Sequence, residues 1–366
     1  MERKVIIGGS TLTMGVLGQP LDGAFDRLHG AYFGTTPYSW EEFDAAAQEH
    51  FTNDPNVADK YFTNFTILWS KNLQTGNFAQ AEEVWKRALQ PALDWEQAGP
   101  NRRLHKGTPY YFWAMTALLR GDTDHGYLLA HQAVDEDIIS TGQPTPDTPG
   151  YALVSLNFER VDQAFRQWVL DQANFLNEGI TNYNNTHQRT LTIENVKRRF
   201  IDHPPNIETV FLLTYTIARL MKLNKLPNHS MNNPFAGQLE LNLFFDITLV
   251  IDAAIKAKNQ QHQFIDHAGT LLTAAGATLT NAQLRDINTQ FNNNFDATLL
   301  AAVDGTLTVQ PNVNLNRLQC DIALAYGLRN QGAHNTGTAP TIWNRFTDVQ
   351  QTLFRTLCAA IDYLYP

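Results

Sequence analysis

Late in the chain, the stretch "LAYGLRNQGAHNTG" carries Arg329, Asn330 and, a little further on, His334. These residue types suit acid–base chemistry at an anionic centre. Histidine, with an unperturbed pKa of about 6.5, can take or give a proton near neutrality. Arginine stays charged and offers a planar fork to phosphate oxygens as negative charge builds up. Asn330 could orient either the histidine or the phosphate. Spacing alone does not single them out, because Arg120 and His125, and Arg198 and His203, stand equally far apart. The first of these pairs crosses a Gly121-Asp122 turn, where Asp122 and Asp124 oppose an anionic substrate. The second falls at a helix end just before Pro204-Pro205. Context separates the third pair: Asn330 follows Arg329 directly, small Ala333 precedes His334, and an amphipathic helix leads in. Another long helix follows "NTGTAPT". The plainer alternative has Arg329 capping its helix electrostatically and His334 standing in an exposed loop.

Other motifs with a mechanism are missing. There is no G-x-x-x-x-G-K-[ST], no G-x-G-x-x-G after a strand, no H-E-x-x-H and no G-x-S-x-G. His262 and His267 miss the spacing of a helical ligand pair, and Asp266 beside His267 does not face it on a helix. They read as a polar helix face, and no metal or other cofactor is expected. The basic run Lys197-Arg198-Arg199 could contact phosphate, although such runs more often form a solvated face; Arg102, Arg103 and Lys106 take the same discount. Cys320 and Cys358 form neither a C-x-x-C nor a zinc cluster and read as helix-packing residues of a reducing compartment.

The elements that position these residues are mostly helical, which predicts an all-α fold. Strand-like alternation is confined to "KVIIGG" and "TLTVQPNV", so an open parallel sheet is not expected. After an N-terminal segment (1–50), residues 51–145 read as stacked helical hairpins. One has Gly76, Phe78, Ala81, Trp85 and Leu89 at helical spacing; the next has Ala114, Ala117 and Leu118, a Gly121-Asp122 turn, then Tyr127, Leu128 and Ala133. The pattern resembles the tetratricopeptide-type repeat, helix-turn-helix units that stack into a solenoid. The two glycine turns lie further apart than the standard period of about 34 residues. A proline-rich linker, "STGQPTPDTPG", leads to a helical connector (146–235), in which Asn206 is a plausible N-cap after Pro204-Pro205. The segment 236–366 reads as a compact helical bundle. Its last helix places Ile342, Phe346, Val349, Leu353, Leu357, Ile361 and Leu364 on one apolar stripe.

Within that bundle, the R-N-x-x-x-H arrangement resembles the HEPN superfamily of helical ribonucleases. The motif is short, and Gly332 departs from it mildly by permitting a looser helix end between the key residues. The resemblance implies that Arg329 and His334 are catalytic, with Asn330 as their polar neighbour. It implies metal-independent cleavage of single-stranded RNA, in which the 2′-hydroxyl attacks its own phosphodiester to leave a 2′,3′-cyclic phosphate and a 5′-hydroxyl. It also implies a homodimer, with the site made where two copies meet. Arg345 and Arg355 on the following helix could add positive charge for RNA, along with Lys197, Arg198 and Arg199. Relatives of this type serve in antiviral defence, as CRISPR-associated effectors, or as toxins of toxin–antitoxin pairs. A strand-helix sensor domain is not expected here, so the repeats are the expected surface for a protein partner. The rival expectation is a non-catalytic scaffold that binds a partner through its repeats and dimerises through its bundle.

Composition sets the frame. The 366 residues are 43% hydrophobic and 17% charged, which describes an ordered chain long enough for more than one domain. A net charge of -9 excludes bulk electrostatic binding of nucleic acid, so any basic contact surface is local. Glu2 and the Gly8-Gly9-Ser10-Thr11 run spoil a signal peptide, and "LFFDITLVI" is too short to span a bilayer. The expected setting is the cytoplasm, without membrane contact.

Overall fold

The computed structural model of the protein describes residues 3–7, 10–14, 16–33, 40–143, 148–161, 163–225, 234–258, 264–332, 342 and 344–366. The fold is all-α apart from two short antiparallel hairpins. These are β1 (Arg3–Ile7) with β2 (Ser10–Met14), and β3 (Thr308–Val309) with β4 (Val313–Asn314). β1 and the β3–β4 hairpin fall where strand-like alternation was expected, and β2 lies beyond those stretches. Two compact units, Met1–Val169 and Leu170–Pro366, divide the chain within a helix.

The first unit holds α1 (Leu21–Phe33), α2 (Trp40–Asn53), α3 (Ala58–Gln74), α4 (Phe78–Gln97), α5 (Gly107–Arg120), α6 (Thr123–Thr141), α7 (Pro149–Val154) and the opening turns of α8 (Gln163–His187). Its turns are written locally. Asn77 caps α4 by accepting the Gln80 N–H, and Asp122 caps α6 by accepting the His125 N–H at 3.2 Å. Gly121 ends α5 at φ 90°, a left-handed conformation that favours glycine. Successive helices pack as neighbours, and aromatic rings fill the space between them. Phe25, Phe43, Tyr61 and Phe65 meet with centroids 4.9–6.1 Å apart, edge to face except for the tilted Phe43–Tyr61 pair. Phe112 stacks on Trp85 at 5.6 Å and leans on Trp69 at 4.7 Å. Ala81, Trp85, Leu89, Ala114, Ala117, Leu118, Tyr127 and Ala133 are buried as their spacing predicts. Leu128 is not: it is 67% exposed, because the next-door Tyr127 and Leu129 take the inward face of α6.

The second unit holds the rest of α8, α9 (Ile193–Val196), α10 (Ile207–Asn224), α11 (Pro234–Lys256), α12 (Phe264–Ala274), α13 (Asn281–Asn293), α14 (Phe295–Asp304), α15 (Arg317–Gly332) and α16 (Phe346–Leu364). Residues 170–235, expected as a connector, thus fall in the same unit as the C-terminal helices. α13 and α14 follow one another directly. The break between them is Asn294, which lies at the end of an asparagine run and starts α14.

At the centre stands α15, packed by α11, α12, α13, α14 and α16. The lead-in to Arg329 was expected to be amphipathic. Instead Cys320–Leu328 is buried on every side, as in the interior of a large core. Gly327 makes the closest approach possible: a Cβ there would lie 2.3 Å from the Phe291 ring, so only glycine lets α13 and α15 meet. Residues 352–361 of α16 are likewise buried all round rather than along one stripe, and Ile342 precedes the helix. Asn206 precedes α10, but its side chain does not cap. It is buried and donates to the Phe200 carbonyl at 2.9 Å. Cys320 and Cys358 are free, buried thiols, and burial pushes both up from their ordinary range. Among the described residues, no helix is long and apolar enough to cross a membrane.

Candidate active site

Arg329 occupies the last turn of α15. Two helices hold that turn. On one side α13 clamps it: the Asn330 Nδ2 donates to Asn288 Oδ1 at 2.9 Å, and Gln331 Nε2 donates to Asn292 Oδ1. Asn288 and Asn292 are four residues apart on one helical face, which matches the consecutive Asn330 and Gln331 at the end of α15. The Asn330 amide thus ties two helices together. On the other side lies α11, with Phe245 and Asp252 two turns apart on one face. The Arg329 guanidinium sits 5.5 Å from the Phe245 ring centroid, and its Nε lies 3.7 Å from Asp252 Oδ2.

Asp252 reaches a third helix as well. Its Oδ1 accepts a hydrogen bond from Nδ1 of His267 on α12. Side-chain exposure falls steadily along this row, from 26% for Arg329 to 19% for Asp252 and 3% for His267. The expectation that His267 belongs to a polar helix face is therefore wrong. It is buried because its ring has a carboxylate partner fifteen residues earlier on another helix. His262, its expected companion, lies outside the described residues, as do Ala333 and His334. Sequence reasoning missed Asp252 and His267. The available signal was a carboxylate inside the apolar run of α11, since aspartate is seldom buried unless paired.

The other arginines expected at the site sit in a separate cluster of the same unit. Asp321 of α15 is fully buried. Arg355 of α16 grips it with two hydrogen bonds, Nε to Oδ2 at 2.7 Å and Nη2 to Oδ1 at 2.8 Å. Its Nη1 donates to Asn182 Oδ1 at 2.9 Å. His187 Nε2 donates to Asp321 Oδ2 at 2.9 Å, and Arg317 Nε to Oδ1 at 2.8 Å. Burial pushes the Asp321 carboxyl up, but the bonds from Arg355 and His187 and the arginine charges more than reverse this and leave it below the ordinary carboxylate range. Arg355 is only 7% exposed, so its charge is spent inside the unit. Arg345 bonds Asp304 at 2.7 Å and Asp348 at 2.5 Å, and both raise its affinity for its proton. These groups border a cleft of about 200 Å³. Arg317, Arg345, Arg355 and Asp348 line it, and each arginine bonds an aspartate: Asp321 for Arg317 and Arg355, Asp304 and Asp348 for Arg345.

Lys197, Arg198 and Arg199 form a π-helical turn before α10, with Arg198 exposed and the other two half-buried. The pair Arg120 and His125 is accounted for by structure: Arg120 bonds Glu82 and Asp122, and the His125 ring packs on Trp113 at 5.5 Å. Among the described residues no group of acidic, histidine and cysteine side chains could hold a metal ion. No family model matches the chain, and neither a curated protein nor a solved structure matches it.

Proposed function

We propose that this chain is a metal-independent endoribonuclease of the HEPN type, acting on single-stranded RNA. The observation that carries this is the placement of Arg329. It stands half-buried in the last turn of a helix whose middle, 320–328, is buried, beside an aromatic ring and a carboxylate and five residues ahead of His334. In the proposed reaction His334 removes the proton of the ribose 2′-hydroxyl. The 2′-oxygen forms a bond to phosphorus, and the bond from phosphorus to the 5′-oxygen breaks. That oxygen leaves with a proton supplied by the second histidine or by water, so the products are a 2′,3′-cyclic phosphate and a 5′-hydroxyl. Arg329 stabilises the phosphorane charge. One pair per chain becomes two when copies meet on a two-fold axis, and the dimer is part of the proposal. Arg329 is then the principal local cation, with Lys197, Arg198 and Arg199 as a second basic stretch and Arg345 and Arg355 committed to aspartates. The setting this reading favours is intracellular, in antiviral defence or a toxin–antitoxin response.

In the first unit, the hairpins α3–α4 and α5–α6 read as tetratricopeptide-like repeats that bind a protein partner. Leu128 and Ile139, 67% and 58% exposed along α6, favour that role. They also support the second reading, a scaffold without catalysis. Purified protein incubated with labelled single-stranded RNA in EDTA separates the two. Cleavage that is lost in both Arg329→Ala and His334→Ala, but retained in His125→Ala and His203→Ala, supports the ribonuclease. Cleavage unchanged in the first two variants rejects the site, and no cleavage by the wild type favours the scaffold.

A further inference from the structure

The row His267, Asp252, Arg329 joins α12, α11 and α15, and its order has a chemical consequence. A carboxylate with one oxygen fixed by a buried ring N–H cannot rotate freely. Its other oxygen then keeps a defined place, 3.7 Å from the Arg329 Nε, the distance of an ion pair and not of a hydrogen bond. The Phe245 ring fixes the guanidinium from a second side. We infer that Asp252 is the positioning residue of Arg329, and that His267 acts behind it by locking the Asp252 carboxylate. The catalytic part of this inference rests on the ribonuclease reading; the link among the three side chains rests on geometry alone.

The charges give the inference a signature. Asp252 offsets the positive charge that Arg329 presents to a phosphate, so it weakens ground-state attraction for RNA while holding the guanidinium where charge develops in the transition state. Losing the carboxylate separates these effects. In Asp252→Asn, kcat falls by about 10²-fold, the usual cost of misplacing a catalytic group, while binding of a non-cleavable 2′-O-methyl RNA stays the same or tightens. Unfolding alone does not tighten binding. His267→Asn keeps an N–H donor close to the position of Nδ1 and retains most of the activity; His267→Leu does not.

The test pairs an activity readout with one that needs no RNA. In ¹H–¹⁵N spectra of the full chain, the Arg329 Nε–H signal is identified by its absence in Arg329→Lys. It is expected to be present in wild type and His267→Asn, and lost to fast solvent exchange in Asp252→Asn and His267→Leu. In cleavage assays the double variant Arg329→Lys/Asp252→Asn is expected to be no slower than Arg329→Lys alone, which keeps a positive charge and with it residual cleavage. An Arg329 signal unchanged in Asp252→Asn overturns the link, whatever the activity shows. Losses that multiply in the double variant overturn the positioning role. A wild type that cleaves nothing, yet loses the signal in Asp252→Asn, ends the ribonuclease reading and leaves the link standing.

Discussion

The two units of this chain solve the problem of a helical interior in different ways. In the first, the space between helices is filled by rings such as Phe25, Phe43, Tyr61, Trp69 and Trp85, and turns are set by local caps. In the second, the central helix carries a fully buried aspartate bound to two arginines and a histidine, and its last turn carries the Arg329 row. A ring packs acceptably against many neighbours, whereas a buried charge tolerates only the partners that satisfy it. The first unit holds such a charge too, Lys106 between Glu96 and Glu136, whereas in the second the central helix itself carries them, and a side chain held in a single orientation is what a catalytic arginine needs.

The largest effect expected from breaking this contrast comes at Asp321. Asp321→Ala leaves Arg355 buried without its carboxylate and should lower stability by about 3–5 kcal/mol in denaturant unfolding. A loss under about 1 kcal/mol would mean that the cluster does not hold the unit together. The same carboxyl gives a pH dependence. Its folded-state pKa is lowered, so its contribution is complete above the unfolded value of about 3.9 and is lost as pH falls through the folded value below that. The acid limb of the stability profile should therefore be shallower in Asp321→Asn than in wild type.

A middle-sized effect is expected at Gly327. Even the methyl group of Gly327→Ala collides with the Phe291 ring and should cost about 1–3 kcal/mol. By parting α13 from α15 it should also lower RNA cleavage, and Phe291→Leu in the same chain should restore part of both losses. The smallest effect belongs to the first unit. Leu128→Ser should change stability by less than about 0.5 kcal/mol, because that side chain stands in solvent. A larger loss in thermal melts would show that α6 packs differently from the account given above.

What the sequence disclosed follows the same divide. Local devices were legible: the Gly76 and Gly121 turns, the strand β1, the stretch that holds β3 and β4, and most helices of the second unit, since these depend on residues a few positions apart. Non-local satisfaction was not. Nothing near His267 announces Asp252, because they lie on different helices, fifteen residues apart. Arg355 looked available for RNA because its acceptor, Asp321, is on another helix. Leu128 was misassigned because adjacent apolar residues on α6 leave the inward face ambiguous by one position. The burial of α15 on all sides was hidden by Asp321, Arg329 and Asn330, polar residues that suggested a wet face until their partners were seen. For the candidate site, Arg329 and Asn330 were found by motif, whereas Asp252 and His267 required the fold.

The most direct measurement of the central claim is cleavage of labelled single-stranded RNA in EDTA, comparing wild type with Arg329→Ala and His334→Ala at matched folding. The account predicts that wild type yields fragments ending in a 2′,3′-cyclic phosphate and that both variants yield none. Equal cleavage by all three proteins, or none by wild type, would contradict it.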